Sequence, residues 1–276
     1  MTTTATAQAE QAAIRLDGVR VGYDRHVVCD NLSLTIPRGS YTAIIGPNAC
    51  GKSTMLRAIA RILPYRSGSI LLDGEEIAAI PTRGLATRLG LLPQTSLSPE
   101  GIRVADLVGR GRHPHQGMFD RWSATDEAIV AEAMEATGIS DLSGRLVDEL
   151  SGGQRQRVWV AMVLAQETPV LLLDEPTTFL DITHQFGLLE LFENLRRDLD
   201  RTVVIVLHDL NQAARYASHL IVMKDGAVVT AGPPSEIITE ELIEDVYQLP
   251  CRIVADPETG APMVIPRARP TAGPVR

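Results

Sequence analysis

The chain has 276 residues, 45% of them hydrophobic, and a formal net charge of −8. That length allows one large domain or two small ones, enough to bury a sizeable core. The acidic balance argues against a nucleic-acid partner held by bulk charge. The scattered Cys29, Cys50 and Cys251 offer neither a zinc ribbon nor a redox Cys-x-x-Cys pair, and no apolar run reaches the ~18 residues of a membrane span.

The opening MTTTATAQAE has no Lys or Arg and no apolar stretch, unlike a secretory signal. Residues 1–13 and 267–276 are expected to be flexible tails. Strands are expected over 14–21, 32–36 and 41–45, with Pro37-Arg38-Gly39-Ser40 turning the chain before the last. A Gly-containing loop over 46–54 leads into a helix over 55–63, which Pro64 stops. Further strands fall at 69–72 and 89–92. Residues 96–154 form a helical insert, with apolar positions at helical spacing around 128–137. Residues 155–166 form another helix. The all-apolar runs 170–173 and 203–207 fit parallel strands covered on both faces. After about Pro257, the many Pro and Ala residues suggest little regular structure. The expectation is one α/β domain over 14–266, with its core at about 14–95 and 155–255.

The segment Gly46-Pro47-Asn48-Ala49-Cys50-Gly51-Lys52-Ser53-Thr54 matches G-x-x-x-x-G-K-[ST] between strand and helix. Such a loop turns backbone N–H groups and a helix N-terminus toward a polyanion. Lys52 is placed to reach the β- and γ-phosphates of ATP, and the Ser53 hydroxyl to ligate Mg²⁺. The apolar run 170–173 enters Asp174-Glu175 at a strand's carboxyl end, where open α/β sheets bind ligands. Asp174 is placed to hold Mg²⁺ and Glu175 to polarise an attacking water. Leu150-Ser151-Gly152-Gly153-Gln154 is a second Gly-rich helix start, without a Lys.

In this order and spacing the motifs resemble the ATP-binding cassette (ABC) family over nearly the whole chain. The loop at 46–54 resembles Walker A, 170–175 resembles Walker B, and 150–154 reads as the LSGGQ signature. Gln94 resembles the Q-loop glutamine, which the resemblance places near the metal and the reacting phosphate. Leu180-Asp181 resembles the D-loop, His208 the switch histidine, and Tyr23 the aromatic that stacks on adenine. The fold this implies is a P-loop NTPase: a RecA-like core with a parallel sheet, an N-terminal antiparallel β part and a helical signature subdomain. It also implies that Ser151, Gly152, Gly153 and Gln154 of one copy face the ATP bound by Lys52 of a second copy. Ala49 stands where the family often has Gly, and is expected to take a φ suited to an L-residue, with near-normal nucleotide binding.

The segments GRGRHPHQ at 109–116, TTFLDITHQ at 177–185 and VLHDLNQAARY at 206–216 look like the ferric-siderophore importers. Cobalamin and haem uptake belong to the same branch. The resemblance implies integral membrane permease subunits, an extracytoplasmic binding protein and a place on the cytoplasmic face of the membrane. Import of cobalamin, haem or a metal ion is the alternative. His113 and His115 lack a third ligand for a metal site. A soluble ABC protein of DNA repair or translation usually carries two cassettes, coiled coils or nucleic-acid modules, against one cassette and no heptad run here. A nucleotide kinase would leave 150–154 and His208 unexplained.

Overall fold

The structure, a computed structural model, describes residues 12–94, 98–117 and 122–267. Most of the two expected tails, residues 1–11 and 268–276, lies outside that range, as do 96–97 and 118–121 of the insert. The tail expectation fails at its inner edges. Ala12 and Ala13 open strand β1, and the Arg267 N–H donates to Pro250 O at 2.9 Å.

β1 (Ala12–Tyr23), β2 (His26–Pro37), β4 (Tyr65–Leu72) and the short β5 (Glu75–Glu76) form an antiparallel sheet in the order β2-β1-β4-β5. β3 (Tyr41–Ile45), β6 (Leu89–Leu92), β7 (Val170–Asp174), β8 (Thr202–Val206), β9 (His219–Lys224) and β10 (Ala227–Gly232) form a six-stranded sheet in the order β10-β9-β3-β8-β7-β6. All its pairs are parallel except β9–β10.

The all-apolar strands are buried on both faces, as their composition requires. Successive side chains point to opposite faces. Tyr41, Ala43 and Ile45 join Leu171, Leu173, Val203 and Ile205 in one apolar cluster. Ile44, Leu172, Val204 and Val206 join a second cluster, with the antiparallel sheet and helix α1 (Lys52–Ile59). α2 (Thr82–Ala86) precedes β6.

The insert holds α3 (Val104–Gly109), a 3₁₀ turn over Arg110–His115 and α4 (Ala124–Ala136), and α5 (Gly152–Ala165) starts at its end and runs on into the core segment. α4 starts on a capping box, with Ser123 and Asp126 satisfying each other's end of the first turn. The buried Arg112 guanidinium ties the pieces together. It reaches Asp126 at 2.9 Å, and Glu167 and the Ala165 carbonyl at 2.8 Å. A charge buried this deeply is tolerated because it is paired. Hydrogen bonds from Ser123 and Arg112 hold the Asp126 carboxyl below its ordinary range. His115 Nε2 lies 2.7 Å from the Gln166 carbonyl, a backbone contact. No group of three or more metal-ligating side chains occurs among the described residues.

α6 (Ile182–Leu199), α7 (Leu210–Tyr216), α8 (Pro234–Ile237) and α9 (Glu240–Tyr247) complete the helices. The end of the chain corrects the sequence reading. Beyond Pro257 it forms β12 (Pro262–Pro266), antiparallel to β11 (Cys251–Ala255). Asn211 of α7 pairs with the Val264 backbone at both its N–H (2.7 Å) and its carbonyl (3.3 Å), so one side chain stands in for a neighbouring strand.

Candidate nucleotide-binding site

β3 runs into the loop at 46–51, and α1 begins at Lys52, three residues before the expected start. Gly51 is its N-cap, in a left-handed conformation at φ 102°. Gly46 has no room for a side chain: a Cβ there would sit 2.1 Å from the Met223 carbonyl oxygen. α1 stops at Ile59, and Arg61 follows at φ 56°, so the helix ends before Pro64 is reached. Ala49 contradicts its expectation: it lies at φ 62°, in the left-handed region. The loop imposes the conformation that glycine would take without strain.

Lys52 is buried, and its Nζ donates to the carbonyls of Gly46 and Pro47, each at 2.8 Å. The Ser53 hydroxyl donates to Asp174 Oδ1 at 2.8 Å, joining the loop to the end of β7. Burial raises the Asp174 carboxyl above its ordinary range, against the pull of the Ser53 hydrogen bond. Glu175 follows at φ 54°, an uncommon conformation for such a residue, outside the extended run of the strand. Its two oxygens are held from opposite sides. Gln94 Nε2 donates to one at 2.8 Å, and His208 Nε2 lies 2.6 Å from the other. Gln94 comes from just beyond β6 and His208 from just beyond β8, so three strand ends converge on one carboxylate.

Asn48–Thr54 of the loop, with Gln94, Glu175 and His208, line one cleft of about 870 Å³; the buried Asp174 is not among its lining residues and meets it through Ser53. Tyr23 is not among its lining residues. Its hydroxyl accepts from Arg57 Nη1 at 3.0 Å, and the wall at that end is His26, Val27 and Val28. Those three and the turn residues Asp225 and Gly226 were missed in the sequence. The Asp-Gly dipeptide marks the β9–β10 hairpin, but only its contact with the loop, Gly226 N to Cys50 O at 3.1 Å, brings it to the cleft.

The signature residues lie elsewhere. Ser151, Gly152, Gly153, Gln154 and Asp181 line a separate pocket of about 590 Å³, with Arg157, Phe179, Leu180 and His184. α5 begins within the signature. Ser151 is the N-cap, its hydroxyl accepts from Gln154 N at 3.3 Å, and Gln154 Oε1 accepts from Ser151 N at 3.1 Å. Asp181 caps α6 through the His184 N–H at 2.9 Å and contacts His184 Nδ1 at 2.7 Å. Those bonds, the backbone one foremost, hold its carboxyl below the usual range. No lining residue is common to this pocket and the cleft.

A phosphate-cradling loop, a strand-end Asp-Glu pair and an α/β core with a parallel sheet define an ATP-hydrolysing P-loop protein. The ABC transporter family model matches residues 29–178, and the chain belongs to that family of ATP-binding proteins. It is 53% identical over 258 residues to the ferric enterobactin transport ATP-binding protein FepC of Escherichia coli, covering 94% of this chain and 95% of that one. It is 43% identical over 245 residues to the iron(3+)-hydroxamate import ATP-binding protein FhuC of Bacillus subtilis, covering 89% and 91%. The fold superposes on the dimeric ABC transporter cassette MJ0796 with a TM-score of 0.73 and 26% identity, over 80% of this chain and 98% of that one. The chain is an ATPase of a transporter. Among the described residues no helix is long and apolar enough to cross a membrane.

Proposed function

We propose that this chain powers import of ferric siderophores, as a pair of copies seated on the cytoplasmic face of a membrane permease that an extracytoplasmic binding protein supplies. The cargo rests on the identity with FepC, a ferric enterobactin transport protein, over nearly the full length of both chains. The single cassette spans about residues 12–267.

The geometry supports hydrolysis at the carboxyl ends of β6, β7 and β8. Lys52 would exchange the two loop carbonyls for β- and γ-phosphate oxygens. Ser53 and Asp174 offer adjacent hard oxygen donors, which fits Mg²⁺, and the Gln94 side-chain oxygen would complete the protein's share. Bound there, Mg²⁺ would neutralise charge on the phosphates. Glu175 would hold the attacking water, oriented by Gln94 and His208, and His208 would contact the γ-phosphate. Tyr23, whose hydroxyl accepts from Arg57, would offer its ring to the adenine.

The separation of the signature pocket from this cleft supports two copies. Ser151 and the first-turn N–H groups of α5 would serve ATP held by the other copy. Loss of the γ-phosphate would then remove contacts made only in the closed pair, a differential affinity that drives opening. Deletion of the gene should abolish uptake of ferric catecholate or hydroxamate siderophores, measured with radiolabelled iron, and restoring it should recover uptake. If siderophore uptake persists while cobalamin or haem uptake stops, the cargo is misassigned.

A further inference from the structure

Two stretches that the chemistry above leaves unused, around Gln185 and around Gln212, meet in the folded chain. We propose that Gln185 and Gln212 are positioning residues that couple the two nucleotide sites of the paired copies. The inference rests on the two-copy reading.

His208 stands in the cleft against Glu175, and the next residue, Asp209, caps α7 by accepting from the N–H groups of Asn211 (2.8 Å) and Gln212 (3.0 Å). The buried Gln212 side chain donates Nε2 to Gln185 Oε1 at 3.2 Å. Gln185, on the first turn of α6, donates its own Nε2 to the Leu180 carbonyl at 2.9 Å. Leu180 lines the signature pocket. An amide relay therefore runs from the helix behind the γ-phosphate-sensing histidine to the wall that would face the other copy's ATP.

Glutamine suits both positions for a chemical reason. Its amide accepts through oxygen and donates through nitrogen at once, whereas a carboxylate only accepts and a thioether does not donate. Leaving one of these partly buried groups unpaired is unfavourable, so a shift of α7 carries the Leu180 segment with it. Occupancy of one copy's cleft thus alters the surface it offers to its partner's nucleotide, and linkage makes the effect reciprocal.

The test uses the full chain and compares Gln185→Glu, Gln212→Met and the double variant. Gln185→Glu keeps the acceptor facing Gln212 and loses the donor to Leu180. Gln212→Met keeps the length and loses the donor. Each is measured for its melting temperature, for ATP affinity under conditions that keep it monomeric, and for the ATP dependence of hydrolysis. The unaltered chain should show a Hill coefficient above one, bounded by about two sites. In each variant it should fall toward one while monomer affinity changes by less than about twofold, a split that general destabilisation does not produce. The double variant should be no worse than either single one. A Hill coefficient that survives in both variants overturns the proposal, as do strictly multiplicative losses or a non-cooperative unaltered chain. If Gln185→Glu fails to fold, Gln212→Met decides by the same criterion. A Glu175→Gln chain that stays monomeric in ATP overturns the two-copy reading itself, and so separates that failure from failure of the relay.

Discussion

The two pockets differ in how complete they are. In the cleft the polar groups are paired within one copy: Lys52 with two loop carbonyls, Ser53 with Asp174, and Glu175 with Gln94 and His208. The signature pocket offers a helix start on exposed ground, lined in part by Phe179 at 75% exposure, with Ile182 at 70% exposure following its lining residue Asp181. Exposed apolar side chains next to polar recognition groups mark a surface that a partner covers. One pocket holds preorganised chemistry; in the proposed pair the other would be half of a site. Variants in the first should therefore damage catalysis in any state of assembly, and variants in the second only what assembly adds.

The largest effect is expected at Glu175. Glu175→Gln keeps the shape and both hydrogen-bonding neighbours but removes the charge proposed to polarise water. Turnover should fall about 10²–10⁴-fold, the usual worth of a general base, with ATP affinity retained. Rapid-quench hydrolysis and equilibrium nucleotide binding separate the two quantities, and size-exclusion chromatography should show an ATP-dependent dimer. Normal turnover would remove Glu175 from the role.

Ser151→Ala probes the other half. Losing the proposed hydrogen bond to a charged phosphate, at about 1.5–3 kcal/mol, corresponds to about a 10- to 160-fold fall in turnover. Loss of the N-cap should lower stability by about 1 kcal/mol. ATP binding by the isolated copy should not change, since Ser151 does not line the cleft. Ser151→Thr, which preserves cap and hydroxyl, should recover most of both losses. Weakened binding by the monomer would mean that the two pockets are not the separate halves described.

The comparison also explains what the sequence disclosed. The loop at 46–54, Asp174-Glu175 and Ser151-Gly152-Gly153-Gln154 are contiguous, so each carries its chemistry in a short string. Gln94 and His208, each closely following a strand, were legible only through the resemblance carried by the joint order of the motifs. What escaped depends on register between distant segments. The wall of His26, Val27 and Val28 arises because β2 turns back at His26, pairing with Tyr23, and so leaves Tyr23 beside Arg57. β12 escaped because two prolines bound a five-residue strand whose N–H partner is partly a side chain on α7. The starts of α1 and α5 were set too late because their first residues belong to the functional loops. Gly51 lacks the side-chain oxygen that usually signals a cap.

Ala49 gives the smallest and most local test of the cleft. An L-residue in the left-handed region costs about 1–2 kcal/mol, and at φ 62° Ala49 bears that cost in the loop itself. Glycine would relieve it but widen the unfolded ensemble, an opposing effect of about 0.4–1 kcal/mol. Ala49→Gly should therefore stabilise the nucleotide-free chain by about 0.5–1 kcal/mol, raising Tm by about 1–4 °C. Scanning calorimetry reads that directly. Turnover should stay near that of the unaltered chain, because the loop already holds the conformation glycine prefers. A lower Tm would show that the alanine methyl makes contacts worth more than the strain, and the left-handed conformation would then be one the loop maintains at a net gain.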